Sequence, residues 1–207
     1  VMSLSNTNAR AARSGSVVVV LDPGHGGSDP GASANGLREK NLNLKIAQYC
    51  KAELSQYSGV TVYMTREDDS DMPGATEAAR LQTRVDRAKQ YGADILVSIH
   101  NNSGGGQGAE IYYPNNNYNA SAGAVGGGVA TEIQQELVAL GLKDRGVKIK
   151  NTANGSTYPN GSYSDYYGII RKSKLAGFPG IIIEHAFIDN ASDAAFLSSE
   201  VNLKKLG

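Results

Sequence analysis

Val17-Val18-Val19-Val20-Leu21-Asp22-Pro23-Gly24-His25-Gly26-Gly27 decides how this chain is read. Four consecutive valines followed by leucine form a short, β-branched, apolar run, the pattern of a strand buried on both faces. Asp22, Pro23 and the glycines then stop the strand and turn the backbone sharply. The chain has three histidines, and His25 sits in this turn. His100 closes Ile95-Leu-Val-Ser-Ile-His, and His185 follows Ile181-Ile-Ile-Glu. Each histidine thus closes or follows an apolar run of the same kind. In an open α/β sheet, ligands bind beyond the carboxyl ends of the strands, so the three histidines are expected near one site.

Outward from this stretch, the pattern alternates strand and helix. A strand over 16–21 is followed by a glycine-rich loop ending in the turn pair Asn35-Gly36, then a helix over 38–56 with Leu42, Ile46, Cys50 and Leu54 on one stripe. Val60-Thr-Val-Tyr-Met-Thr reads as a second strand. A helix over 75–91 carries Ala78, Leu81, Val85 and Ala88 on one face and is stopped by Gly92. Further strands are expected over 94–100 and, in hairpin fashion, over 109–113. Val125, Val129, Ile133, Leu137 and Leu140 space out a third helix, whose glycines Gly126 to Gly128 cost about 1 kcal/mol each against alanine and are expected to fray its start. Val147-Lys-Ile-Lys is a weak strand, 151–167 a long tyrosine-bearing loop, and 167–171 and 180–184 the last strands. Asn190 is placed to cap a helix running through Leu197. The alternation gives an α/β layered domain with a mostly parallel sheet.

Composition narrows the class. The 207 residues are 40% hydrophobic, enough for one domain with a full core and too few to argue for two. Lys+Arg and Asp+Glu balance at 20 each, which gives no electrostatic reason to expect nucleic acid or an anionic membrane as partner. No apolar run is long enough to span a bilayer, so no membrane insertion is expected. Cys50 is the only cysteine, excluding an internal disulfide, and reads as a buried structural thiol. Residues 1–15 are small, polar and aperiodic, as expected of a linker or N-terminal extension, leaving 16–207 as the folded domain. A monomer is expected.

His25, Glu39 and His100 stand out as a group. Hydrolytic zinc sites take three protein ligands, often two histidines and a carboxylate, and keep a position open for water. The loop after the first strand and the end of the third both open on the carboxyl edge, and Glu39 begins the helix fed by that loop. Taken singly, a first-turn glutamate is more often a helix-dipole partner, and a strand-end histidine more often simply hydrogen-bonded. Glu184 ends an all-apolar run, where desolvation raises a carboxyl pKa toward the range useful to a general base. A structural pairing with Arg66 or Arg171 is the alternative.

With these residues in view, the chain resembles the zinc-dependent N-acetylmuramoyl-L-alanine amidases of the amidase-3 group, bacterial cell-wall hydrolases. The matching segments are Val19-Val-Leu-Asp-Pro-Gly-His-Gly-Gly, Gly36-Leu-Arg-Glu-Lys-Asn-Leu-Asn-Leu, Val62-Tyr-Met-Thr-Arg, Arg84 with its helix, Ala93-Asp-Ile-Leu-Val-Ser-Ile-His-Asn-Asn, and Ile182-Ile-Glu-His-Ala-Phe-Ile-Asp-Asn. They run in family order from about Val17 to Leu197. The resemblance implies a twisted, mostly parallel six-stranded sheet between helices, Zn2+ held by His25, Glu39 and His100, and Glu184 as catalytic glutamate. It implies peptidoglycan as substrate, cut between the muramic acid lactyl group and L-alanine, and an extracytoplasmic, secreted or cell-wall-associated setting. Where the family has a glycine before the Phe-Ile piece, this chain has Ala186, preceded by His185, which carries no family role. Nothing resembles the inserted helix that covers some relatives' sites, so an open groove is expected. A zinc peptidase of carboxypeptidase type and a non-catalytic cell-wall binding module are the competing readings.

Overall fold

A computed structural model describes residues 15–207. The reading of 1–15 as linker therefore falls almost wholly outside the described residues. In chain order the elements are β1 (Val17–Pro23), β2 (Ser33–Ala34), β3 (Leu37–Arg38), α1 (Glu39–Leu54), β4 (Val60–Met64), α2 (Glu77–Gln90) and β5 (Ile95–Asn102). Then follow β6 (Ala109–Tyr112), α3 (Ala120–Ala139), β7 (Asp144–Lys148), α4 (Gly168–Ala176), β8 (Gly180–Phe187), α5 (Ala191–Leu197) and α6 (Glu200–Leu206).

Six strands form one sheet in the order β4-β1-β5-β8-β6-β7, and β2-β3 make a small separate hairpin. The pairs β1–β4, β1–β5, β5–β8 and β6–β7 are parallel, and β6–β8 is antiparallel. Because side chains alternate along a strand, the apolar runs feed two cores at once. Leu21, Val97, Ile181 and Ile183 pack with Leu42 and Ile46 of α1 and with Ala130 and Leu137 of α3. Their neighbours Val20, Leu96 and Ile182 pack on the other face with Val85 and Ala88 of α2 and Ile169 and Ile170 of α4. The result is a three-layer sandwich, and its continuous Val/Ile strands are continuous because both faces are covered.

Five points of that reading change. Residues 167–171 do not form a strand: α4 begins at Gly168. A short Gly-Ile-Ile run cannot be told from a helix by periodicity alone, and here Ile169, Ile170, Ser173 and Lys174 bury a helical face. The strand over 109–113 is present as β6, but β8 inserts between it and β5, so no hairpin forms. Helix α3 starts at Ala120, capped by Asn119, with no break at its glycines. A Cβ at Gly126 would meet Pro114 and one at Gly127 the Tyr113 ring, so close helix-to-loop packing offsets the propensity cost. Helix α6, capped by Ser199, packs against α1 and was not read from the pattern. Cys50 is half-buried rather than buried, and desolvation pushes its thiol up to about 11.

Candidate active site

The loop after β1 is held from beneath by two arginines. Asp22 is buried at the end of β1, where its Oδ1 accepts hydrogen bonds from the Thr65 hydroxyl (2.5 Å) and Arg84 Nη1 (2.6 Å), and its Oδ2 from the Ser98 hydroxyl (2.8 Å). Burial opposes the Asp22 charge, but Arg84 and these donors outweigh it and hold the carboxyl below its ordinary range. Arg84 also donates to the carbonyls of Pro23 (2.9 Å) and His25 (2.7 Å). Arg66 donates to Pro23 O and Gly24 O at 3.0 Å each. Three successive carbonyls thus receive guanidinium donors, which fixes a turn in which His25 has φ 61°, a left-handed conformation costly for a non-glycine residue.

This turn brings His25 to Glu39 and His100. Glu39 Oε2 lies 3.2 Å from His25 Nε2, and Glu39 Oε1 lies 2.8 Å from His100 Nδ1. The imidazoles meet edge-on, with ring centroids 5.0 Å apart. One ligand atom from each of the three residues lies within 4.8 Å of the others, a spacing compatible with a shared metal ion. Two glycines clear the space: a Cβ at Gly24 would run into the His100 ring, and one at Gly31 into Glu39 and His25. Asp29 Oδ2 sits 2.9 Å from His25 Nδ1, so the carboxylate accepts a hydrogen bond from Nδ1–H and leaves Nε2 facing Glu39. That is the outer carboxylate commonly found behind a metal-binding histidine.

The electrostatics favour positive charge in this cluster. Burial works against a charged His25, but the hydrogen bond and charge of Glu39, then those of Asp29, push it up to about 9. Burial likewise opposes the Glu39 charge, yet His100 and His25 hold that carboxyl far below its usual range. The donor chemistry, spacing and field all fit a divalent cation.

Glu184 stands beside this cluster on β8, in register with His100 on β5 and with Glu110 on β6. The alternative pairings are not made. Arg66 is committed to the β1 loop, and Arg171 donates to the carbonyls of Asp165 and Tyr166. The buried Glu184 Oε2 has no hydrogen-bond partner among the described residues. Desolvation is the largest influence, opposed by His100 and reinforced by Glu39 and Glu110, and it moves the carboxyl up to about 7. His185 points to the opposite face, into the α1/α3 layer; it is 2% exposed, its Nδ1 is 3.0 Å from His100 O, and burial holds it down at about 4.

A cleft of about 490 Å³ opens over these groups, lined by His25, His100, Glu184, Arg84 and, on its far wall, Tyr167. The sequence reading missed Asp22, Asp29 and Glu110. Asp22 carried one signal, a carboxylate closing an otherwise apolar buried strand; Asp29 and Glu110 carried none.

Residues 19–207 match the family model described as N-acetylmuramoyl-L-alanine amidase. The chain belongs to this amidase family. Among its amidase relatives is the sporulation-specific N-acetylmuramoyl-L-alanine amidase of Bacillus subtilis, 36% identical over 193 residues, which cover 92% of this chain and 64% of that protein. Another is the N-acetylmuramoyl-L-alanine amidase LytC of the same organism, 37% identical over 187 residues, 88% of this chain and 32% of the relative. The chain therefore spans less than two thirds of the length of these curated amidases. The fold is similar to the crystal structure of the N-acetylmuramoyl-L-alanine amidase from Clostridium difficile 630, with TM-score 0.73, 28% identity and coverage of 93% and 91% of the two chains. The six-stranded, mostly parallel sheet between helices is thus an amidase fold.

Proposed function

We propose that this domain is a zinc-dependent peptidoglycan amidase that cleaves the amide between the lactyl group of N-acetylmuramic acid and L-alanine of the stem peptide. The observation carrying this reading is the convergence of His25, Glu39 and His100 beside the Glu184 carboxylate, whose buried Oε2 has no hydrogen-bond partner among the described residues. Two imidazoles and one carboxylate are the donor set of a hydrolytic zinc site, one ligand short of tetrahedral. A zinc ion held there would supply Lewis acidity to the amide carbonyl and to the attacking water.

The chain's own residues supply the rest. Glu184, with its carboxyl near neutrality, takes the proton of the attacking water and delivers it to the departing alanine nitrogen. Its lack of a hydrogen-bond partner leaves that oxygen available for the transfer. Asp29 orients His25, and Arg84 and Arg66 lock the loop that carries it. Tyr167 forms part of the cleft wall.

The reading places the enzyme outside the cytoplasmic membrane, where peptidoglycan lies, and takes the monomer as the acting unit. Among the described residues no helix is long and apolar enough to cross a membrane.

Digestion of purified peptidoglycan by the zinc-loaded protein tests it. New L-alanine amino termini on an uncut glycan are expected. New reducing sugar ends would make it a glycosidase, and cleavage of ordinary peptides with intact muramyl amides would make it a peptidase. No new group of any kind would leave a binding module.

A further inference from the structure

Away from the cleft, the sharpest backbone anomaly is Tyr118. Its φ is 65°, and the only other described non-glycine residues with positive φ are His25 and Asn35. His25 belongs to the metal-site loop, and Asn35 to an Asn-Gly turn, where asparagine is tolerated. For a bulky tyrosine the conformation is a real strain, and strain persists where surrounding structure over-determines it, commonly at ligand sites.

The surroundings do over-determine it. The Tyr118 ring stacks on Tyr158, centroids 5.1 Å apart and planes within 13°. Tyr158 is buried and donates its hydroxyl to Asp165 Oδ2 (2.5 Å), while the Lys174 ammonium lies 4.5 Å from its ring centre. Lys174 is itself fully buried, 2.7 Å from Asp165 Oδ2 and 2.9 Å from Asn115 O. The Asn115 amide donates to Asp165 Oδ1 (2.8 Å), and the Asn117 side chain to Tyr163 O (2.9 Å). A buried polar network therefore zips the loop after β6 to the loop before α4.

Its outward product is aromatic. Tyr118, Tyr163 and Tyr166 are 44%, 61% and 50% exposed on these two joined loops. Tyr166 meets Tyr167 edge-on at 5.2 Å, and Tyr167 lines the cleft. The second stacked tyrosine pair, Tyr63 and Tyr91, has no positive φ and lies on β4 and at the end of α2. Exposed tyrosine faces held by a buried network suit a ligand with flat C–H faces, the chemistry of a sugar ring.

We propose that Tyr118, with Tyr163, forms a stacking platform for pyranose rings of the glycan strand, a subsite separate from the cleft that cuts the amide; Tyr166 is capped by the Lys150 ammonium, 3.9 Å from its ring centre. The platform rests on the amidase reading for its choice of glycan. It gives the enzyme a grip on polymeric substrate that a single muramyl peptide cannot use.

The test titrates peptide-free glycan strands, which cannot be cleaved, against the zinc-loaded protein and its Tyr118→Gly variant. Glycine adopts positive φ freely, so this variant removes the ring and the strain together. Its melting temperature should not fall, and its Kd for the glycan should rise about five- to tenfold, the scale of one aromatic stack. KM on intact peptidoglycan should rise similarly with kcat unchanged, and KM on a monomeric muramyl dipeptide should stay put. Unchanged glycan binding, with or without a lower melting temperature, would overturn the platform and make Tyr118 structural. An equal loss on the monomeric substrate would overturn it too. If Tyr118→Gly does not fold, Tyr163→Ala decides, since among the described residues that ring stacks on no other: weaker glycan binding supports the platform and unchanged binding ends it. The two readings fail separately. Glycan binding that depends on Tyr118 without amide cleavage would sink only the amidase reading, and cleavage with Tyr118-independent binding only the platform.

Discussion

His100 on β5 and Glu184 on β8 are register partners on neighbouring parallel strands, so imidazole and carboxylate rise side by side from one face of the sheet. The pairing places a metal-ligand candidate and a general-base candidate together by backbone geometry alone. One residue further on, His185 necessarily faces the other way, because successive side chains on a strand alternate.

Glu184→Gln should retain metal and fold and lose roughly 10²–10⁴ in rate, the usual contribution of a general base. In the wild type, kcat/KM should rise with pH as Glu184 ionises, with its midpoint at about 7 or below, since a bound cation beside the carboxylate lowers its pKa. A Glu184→Gln enzyme with wild-type turnover and the same acid limb would remove Glu184 from the chemistry.

The same burial has a cost that thermal melts can read. In the metal-free fold Glu184 sits at about 7 against 4.5 unfolded, so the folded state holds its proton more tightly. Folding stability linked to Glu184 is then fully present below pH 4.5 and is lost as pH rises through 7. At pH 8, metal-free Glu184→Gln should be more stable than wild type, by on the order of 1–3 kcal/mol. At pH 4 the two should melt together, and a gap persisting there would assign the gain to packing instead.

Asp29→Asn should weaken metal binding about 10- to 100-fold while leaving all three ligands in place, as loss of an outer-shell carboxylate typically does. His25→Ala or His100→Ala should abolish metal retention and hydrolysis together. Metal content measured against a competing chelator ranks the variants, and an Asp29→Asn protein with wild-type affinity would reduce Asp29 to a surface partner of His25.

Much of this site was legible because its signals are local. Val17 to His25 shows a buried strand and its stop within nine residues, and Ile95 to His100 repeats the pattern. Which strands become neighbours is not local. That β8 lies between β5 and β6 depends on how helices cover the sheet, so the pairing of Glu184 with Glu110 had no sequence signal. The misread strand at 167–171 has the same origin. Ile169 and Ile170 are apolar in either conformation, and the deciding fact is that Lys174 buries itself against Asp165 and against Asn115, a residue distant in the chain.

His185 gives a pH prediction of the opposite sign to Glu184. Burial holds its imidazole at about 4 against 6.5 unfolded, so the folded state binds the proton more weakly. Its contribution is present above pH 6.5 and is lost as pH falls toward 4. His185→Asn can keep the hydrogen bond to His100 O and cannot titrate. Its melting temperature should therefore fall less than wild type's between pH 6.5 and 4, and its metal content should be unchanged. Loss of metal in this variant would give His185 a role at the site that its opposite-facing position denies it.

The Asp22–Arg84 pair separates support from chemistry. Both groups are buried, and the salt bridge is 2.6 Å long. Removing one partner of a buried pair strands the other charge, which typically costs about 3–5 kcal/mol. Arg84→Ala also withdraws donors from Pro23 O and His25 O, so the turn holding His25 at φ 61° loses part of what fixes it. The expected result is a lower melting temperature together with weaker metal binding. Asp22→Asn keeps one oxygen acceptor, for either Thr65 or Ser98, and leaves both carbonyl contacts of Arg84 in place, but leaves its cation buried without a counter-charge. It should therefore lower stability while sparing metal affinity more than Arg84→Ala does. Measuring melting temperature and metal affinity on both variants resolves the point. Equal loss of metal at equal loss of stability would mean that the arginine acts only through the ion pair, and that its hold on the His25 carbonyl does nothing further for the site.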